Sequence, residues 1–467
     1  MWIDEELANS KLSDKRLKKR LVRITEQISA NIGETIPNAC EDWANTKAAY
    51  RFFSNPNVTE SQILEGHFHS TARRSIDKKG PLLVLHDTTE VNYTQRKDEA
   101  FGSTRMLPQN PRSEGGRVSK AICGVLMHSS LVITPSGLPL GFAAKKFWNR
   151  KIFKGIRKIH PGKNATRIPL EEKESFRWID SLKNATERLG NPDRLVHIGD
   201  READIYEFFH EADRLRTNYL VRIKVDRKLA PKLLTLRQEI ENSEIKGIGQ
   251  INCTDKDGSK IKVTLEIKFI KATIIPSDGI KRKRYGSRDV TVIQAKEISE
   301  CKGDREQIDW RIITNLHVPD LESAVEKLHW YSLRWKIETF FKVLKSGFNI
   351  DHSKIKSAES ICKLMSISCI VAWRVFWMTM LIREDSAAPP NAALTETEMQ
   401  ILDNTVPDRG KHKSTSLSDY LLKIAKLGGY LARKSDLPPG NTVVWRGLKK
   451  LIELQRGFEI AKELVGN

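Results

Sequence analysis

Residues Pro81 to Val91 read "PLLVLHDTTEV", and their reading decides the fold. The apolar run Leu82 to Leu85 is followed at once by His86 and Asp87, the pattern of a short buried strand that ends by delivering an acid. Two more strands are predicted in "AICGVLMHSSLVIT" and "LPLGFAAKKFW", joined by the hairpin signal Pro135-Ser136-Gly137. A helix over "LEEKESFRWIDSLKNATERLG" follows, stopped by Gly190. "RLVHIGD" then reads as a strand ending at Asp200, "READIYEFFHEA" as a helix starting immediately, and "NYLVRIK" as a further strand. The order β-β-β-α-β-α-β is that of a mixed α/β sheet, with antiparallel strands first and parallel additions later. Residues 226–315 carry strand-like segments among charged loops such as "GIKRKRYGSRD" and read as an all-β insertion into the α/β domain.

Asp87 and Asp200 each emerge from a buried strand, and in open sheets sites form beyond the carboxyl ends of the strands. Taken singly, an Asp at a strand end is as well read as a turn former or a helix cap, and Asp200 as the cap of "READIYEFF". Glu202 and Asp204 are assigned to the surface of that helix. The HxH at His67 and His69 reads as surface or packing histidines, since two ligands make a poor metal site.

A third carboxylate comes from "YSLRWKIETFFKVLKSG", Tyr331 to Gly347, which reads as one helix. Tyr331, Arg334, Glu338, Lys342 and Lys345 recur at steps of three or four, so they share one face within roughly 80°. The bland reading is a solvated salt-bridge ladder, in which Glu338 pairs with Arg334 or Lys342. The other is an acid held among groups that grip phosphate. A second stripe, Ile337, Phe340, Phe341, Leu344 and Phe348, packs the helix on a core and sets the charged stripe at its margin. Three carboxylates with few other ligands suit a hard cation such as Mg²⁺. Two such ions can activate a water or a 3′-hydroxyl and stabilise the leaving oxygen of a phosphodiester.

The whole chain has 79 Lys plus Arg against 59 Asp plus Glu, a net charge of +20. That excess suits an extended polyanion, although ribosomal and membrane-surface proteins share it. Residues 1–75 read as a helical, basic module. Leu12, Leu17, Leu21, Ile24 and Ile28 line one face, Ser13 and Asp14 mark its start, and cations including Arg16 and Arg20 cover the rest. One helix ends at Asn55-Pro56 and the next begins near Thr59. Cys40, Cys123, Cys253, Cys301, Cys362 and Cys369 form no C-x-x-C pair, which suits free thiols in a reducing cytoplasm. The acidic start "MWIDEELANS" shows no secretory signal. "LMSISCIVAWRVFWMTMLI" is long enough to span a bilayer, but Arg374 in its middle would cost at least ~2.5–3.5 kcal/mol there, so it is expected as a buried core helix. "EDSAAPPNAALTETEMQ" reads as a linker before a helical C-terminal segment that breaks at Gly428-Gly429. No GxxxxGK[ST] pattern is present, which argues against ATP-driven motor work.

These residues resemble the insertion-sequence-four family of bacterial DDE transposases. "YSLRWKIETFFKVLK" fits its YREK signature, Y-x2-R-x3-E-x6-K, "HDTTEVNY" resembles its first-Asp motif and "GDREADIYEFF" its second. "SDKRLKKRLV" and "AAYRFFSNPNV" are similar to the DNA-end-binding domain, and "IAKLGGYLARKSD" to the dimerisation region. The resemblance implies a ribonuclease-H-like catalytic domain over 76–383, with 226–315 as its β-rich insertion, between a DNA-binding domain over 1–75 and a linker and helical dimerisation region over 384–467. It implies Asp87, Asp200 and Glu338 as catalytic ligands of Mg²⁺, with Mn²⁺ as substitute. Tyr331, Arg334 and Lys345, with Lys342 beside them, would meet transposon-end phosphates. Arg222 and Lys224 match basic DNA-binding positions. Trp310 resembles the residue that stacks on a flipped end base, and reads equally as a core tryptophan. The activity implied is cut-and-paste transposition through a hairpin, by a homodimer acting on double-stranded terminal inverted repeats and target DNA, in the bacterial cytoplasm at the nucleoid and away from membranes. A silent DNA-binding regulator of the same fold and a general ribonuclease-H-like nuclease are the alternatives.

Overall fold

The computed structural model describes residues 2–93, 103–106, 121–150, 168–231, 234–254, 260–277, 279–299, 306–348, 350, 353–355, 357–383, 389–408, 414–433 and 435–465. Cys301 and the first residues of the linker, 384–388, lie outside them. The chain opens with α1 (Trp2–Leu7), α2 (Lys15–Ala30), α3 (Ile36–Cys40), α4 (Trp43–Ser54) and α5 (Glu60–Ile76). Asp14 caps α2 by accepting the Arg16 N–H, and Leu21, Ile24 and Ile28 of its apolar face are buried. α4 stops before Pro56, and α5 starts on a reciprocal capping box between Thr59 and Gln62. Of the two histidines on α5, His67 is fully buried, whereas His69 is exposed and meets Asn9.

The sheet comprises β1 (Leu82–Tyr93), β2 (Ser103–Met106), β3 (Ala121–Ile133), β4 (Pro139–Trp148), β5 (Leu195–Gly199), β6 (Asn218–Arg222), β7 (Leu229–Ala230), β8 (Gly247–Thr254), β9 (Lys260–Ile274), β10 (Arg288–Glu297) and β11 (Asp309–Thr314). Its order is β2-β3-β1-β5-β6-β11-β10-β9-β7, with β4 on β3 and β8 on β9. β1 runs antiparallel to β3 and parallel to β5, and β5 runs parallel to β6. α6 (Phe176–Leu189) and α7 (Tyr206–Arg214) are the crossovers, and α6 ends on Gly190 at φ 62°.

The segment read as an all-β insertion contains two short helices, α8 (Leu236–Asn242) and α9 (Ile280–Arg284). It is also not set apart from the sheet. β11 pairs with β6, Ile313 opposite Val221, and both side chains are fully buried, so burial on the common core draws the last strand into the main ladder.

The helix expected over Tyr331 to Gly347 is broken. α10 (Leu321–Ser332) ends in a turn at Leu333 and Arg334, and α11 (Trp335–Phe348) begins beyond it. The junction tightens to three-residue bonds, Arg334 N–H to the Tyr331 carbonyl and Ile337 N–H to that of Arg334. Ile337, Phe340, Phe341, Leu344 and Phe348 are buried as their spacing predicts. α12 (Ala358–Arg383) is apolar enough to cross a membrane, but 94% of its apolar window is buried inside the protein. Its Arg374 lies between Trp2 and Trp377 and donates to the Ala393 carbonyl. α13 (Glu396–Thr405), α14 (Leu417–Leu427) and α15 (Asn441–Val465) complete the described chain, with Gly428 and Gly429 directly after α14.

Candidate active site

Asp87 does not end its strand, because β1 continues along β3 to Tyr93. What ends is the parallel ladder to β5, whose last pair is Leu85 with Ile198. Two residues on from that pair stand Asp87 and Asp200, side by side at the carboxyl edge of the parallel strands. Each carboxylate is pinned by a backbone amide: Asp87 Oδ1 accepts the Thr88 N–H at 2.7 Å, and Asp200 Oδ1 accepts the Glu202 N–H at 2.8 Å. Asp200 is thus a cap, of the short turn Arg201–Ala203 rather than of α7. Gly199 makes this turn possible: a Cβ there would stand 2.4 Å from that of Ala203 and 3.3 Å from the Trp178 ring.

Glu338, in the first turn of α11, joins them through Arg334. One guanidinium nitrogen of Arg334 lies 2.8 Å from Glu338 Oε1, and another lies 3.4 Å from Asp87 Oδ2. Burial opposes the Arg334 charge, but Tyr331, Glu338, Asp87 and Asp200 outweigh it and hold its pKa above the ordinary value. Its Nε is buried without an acceptor among the described residues. Burial pushes the Asp87 carboxyl up to about 7, against the pull of Arg334 and with the help of Asp200 and Glu338. Burial also raises Glu338.

Of the cations proposed beside these acids, Lys345 feels Glu90 and Asp87. Arg222 lies within the field of Tyr331 and Arg334, and donates to the Asp309 carbonyl at 3.1 Å. Lys342 and Lys224 are exposed. Tyr331 is buried and takes the edge of Trp310 at 5.1 Å between centroids. Trp310 itself is only 8% exposed, so little of its ring is open to solvent. The open aromatic surface here is Trp335, half exposed at the start of α11 with the Arg334 guanidinium over its ring. Arg16 and Arg20 stand apart on α2, the first salt-bridged to Asp14 and the second hydrogen-bonded to Asn45.

The carboxylate oxygens fit a hard divalent cation in type. They are not drawn into a closed shell: among the described residues no group of three or more His, Cys, Asp or Glu is placed to hold a metal ion. Arg334 stands where the acids would meet, and it meanwhile neutralises their repulsion.

One assignment from sequence is corrected. Asp204 is buried, not on a helix surface. It pairs with Arg227 at 2.6 Å and accepts the backbone N–H groups of Lys224 and Val225, holding the chain after β6. Glu202 is exposed as expected, although it sits in the short turn before α7 rather than on α7 itself, and it pairs with Arg177. Thr88 and Glu202 were visible as the close followers of the two aspartates in "HDTTEV" and "GDREAD". Arg177 gave no signal, since an Arg in an amphipathic helix reads as solvated surface.

Acids and a shared cation stand at the edge of a mixed sheet in a basic protein, a charge balance that suits an anionic polymer. Two family matches make the class specific. Residues 1–58 match the family described as Transposase DNA-binding, and residues 171–373, which include Asp200 and Glu338, match the family described as Transposase DDE domain. The chain combines a transposase DNA-binding domain with a DDE domain, and these support a DNA transposase. The DDE domain implies a ribonuclease-H-like fold and a nuclease-transposase activity, of a kind that typically uses divalent metal.

Proposed function

We propose that this chain is a cut-and-paste transposase of the insertion-sequence-four type, which binds the terminal inverted repeats of its element, cuts them through a hairpin and joins them to target DNA. The observation that carries the reading is the convergence of Asp87, Asp200 and Glu338 on Arg334, from three elements far apart in sequence. Asp87, Asp200 and Glu338 would hold Mg²⁺ or Mn²⁺, which supplies activation of a water or 3′-hydroxyl and neutralises charge at the leaving oxygen. Arg334 has a buried Nε donor left for a phosphate oxygen, Tyr331, Lys345 and Arg222 lie in the field of the acids or of Arg334, and the exposed Lys342 and Lys224 are assigned to the same DNA in this reading. Trp335 offers an open face for an unstacked base, whereas Trp310 would serve only after Tyr331 moves. Arg16 and Arg20 contact the end DNA in this reading. The acting species is a homodimer that pairs two ends at the bacterial nucleoid.

A silent DNA-binding regulator is the second reading, and the engagement of Arg334 by two of the acids is the observation on its side. Metal-dependent nicking of the DNA flanking the gene separates the two. Nicking that Asp87→Asn, Asp200→Asn or Glu338→Gln removes, with end binding retained, supports the transposase. Binding without nicking supports the regulator.

A further inference from the structure

The amides that pin the two aspartates belong to Thr88 and Glu202, and both of those residues are gripped by one side chain. Arg177, the second residue of α6, donates through Nε to Thr88 Oγ1 at 3.1 Å and forms an ion pair with Glu202 through Nη2. Its Nη1 donates to the Glu174 carbonyl at 2.9 Å, so all three nitrogens of the guanidinium are used. The group lies over the rings of Trp148 and Trp178, 5.6 and 5.7 Å from their centroids, and its side chain is only 11% exposed. Thr88 Oγ1, which accepts from Arg177, also shares a hydrogen bond with His128 Nδ1 at 2.9 Å, which ties the same point to β3.

We propose that Arg177 is a positioning residue: its planar guanidinium sets the separation of Asp87 and Asp200 by holding Thr88 on β1 and Glu202 beyond β5 in one rigid fork. The inference rests on the reading of those aspartates as metal ligands and adds the part that spaces them. Geometry favours Arg for the task. Lysine is a point charge and cannot direct two divergent bonds in a fixed plane. Groups that orient metal ligands typically change metal affinity by about 10–100-fold when removed.

The sign of the effect separates positioning from bulk electrostatics. Removing a cation near carboxylates should, by charge alone, tighten a divalent ion, whereas loss of the brace should weaken it. The experiment is titration of Mn²⁺ into the full-length protein, followed by calorimetry and by the spectrum of free Mn²⁺. Arg177→Met, Glu202→Gln and Thr88→Val are each expected to weaken Mn²⁺ by about tenfold or more. Arg177→Lys should fall between, and the Arg177→Met/Glu202→Gln pair should lose no more than the worse single change. Binding of end DNA in EDTA should stay as in the parent protein. Tighter or unchanged Mn²⁺ binding in Arg177→Met overturns the proposal. Should that variant not fold, Thr88→Val, which keeps the shape and removes only the hydroxyl, decides in the same way. If Asp87→Asn leaves Mn²⁺ binding intact, the metal reading falls and takes the brace with it. If Asp87→Asn abolishes binding while the Arg177 and Thr88 changes do not weaken it, the brace alone falls.

Discussion

Asp87 and Asp204 show what an acid's neighbours make of it. Asp87 is partly buried beside one cation and two acids, and burial raises its carboxyl to about 7. Asp204 is buried too, but it has Arg227 and two backbone N–H groups to itself, and it serves structure. Nothing in "GDREADIYEFF" tells the two roles of Asp200 and Asp204 apart, since the difference lies in partners met only on folding. Asp204→Asn should therefore cost roughly 3–5 kcal/mol, because it strands the buried Arg227 charge. Urea unfolding would read that loss as a lower midpoint. Fluorescence anisotropy on end DNA below the new midpoint should find binding little changed.

The strands that carry the acids were legible as elements. "LLVL" and "LVHI" are short apolar runs, and both proved to be fully covered strands, as burial on two faces demands. The broken helix was not legible. Leu333 and Arg334 are good helix formers with no Gly or Pro nearby, so local propensity predicts continuity. The break follows tertiary demands: Tyr331 is buried against Trp310 while Arg334 turns toward Asp87 and Glu338. Pairing of β11 with β6 was likewise hidden, because register between distant segments leaves no local mark. Neither was the span from Arg177 to Glu202 predictable from spacing. At this scale the turn after β5 is the sensitive point. Gly199→Ala places a methyl against Ala203 and Trp178, and should destabilise by about 1–3 kcal/mol through overpacking. Because the turn also carries Asp200, nicking should fall further than the shift in thermal midpoint explains, with end binding retained. Normal nicking would show that the turn has slack.

Over the whole molecule, the N-terminal helices are anchored to the sheet by a buried cluster. His67 accepts the Phe142 N–H at Nε2, which leaves its Nδ1 proton for Glu6 at 2.5 Å. Arg74 donates to both Glu6 oxygens and, through Nε, to the Leu140 carbonyl. Burial pushes the Glu6 pKa up, but His67 and Arg74 outweigh it and hold it at about 2. Its stabilising effect is full above the ordinary value of 4.5 and is lost as pH falls toward about 2. A shift of that size corresponds to on the order of 3 kcal/mol. His86, lowered to about 3 by burial alone, adds acid lability from 6.5 downward, since the unfolded imidazole takes its proton first. Urea midpoints should drop from pH 5 to pH 3, and by distinctly less in Glu6→Gln, whose stability starts lower. An equal drop in both proteins would mean that Glu6 does not anchor the interface.

In the proposed function, Asp87, Asp200 and Glu338 together cut DNA. Its most direct test is a gel assay for nicking of a duplex carrying the DNA at the ends of the element, with Mg²⁺ or Mn²⁺, for the parent protein and for Asp87→Asn, Asp200→Asn and Glu338→Gln. The expected result is metal-dependent nicking by the parent, none by any of the three variants, and the same band shift on that duplex for all four. A parent protein that binds the ends and never nicks them, or variants that nick as the parent does, would contradict it.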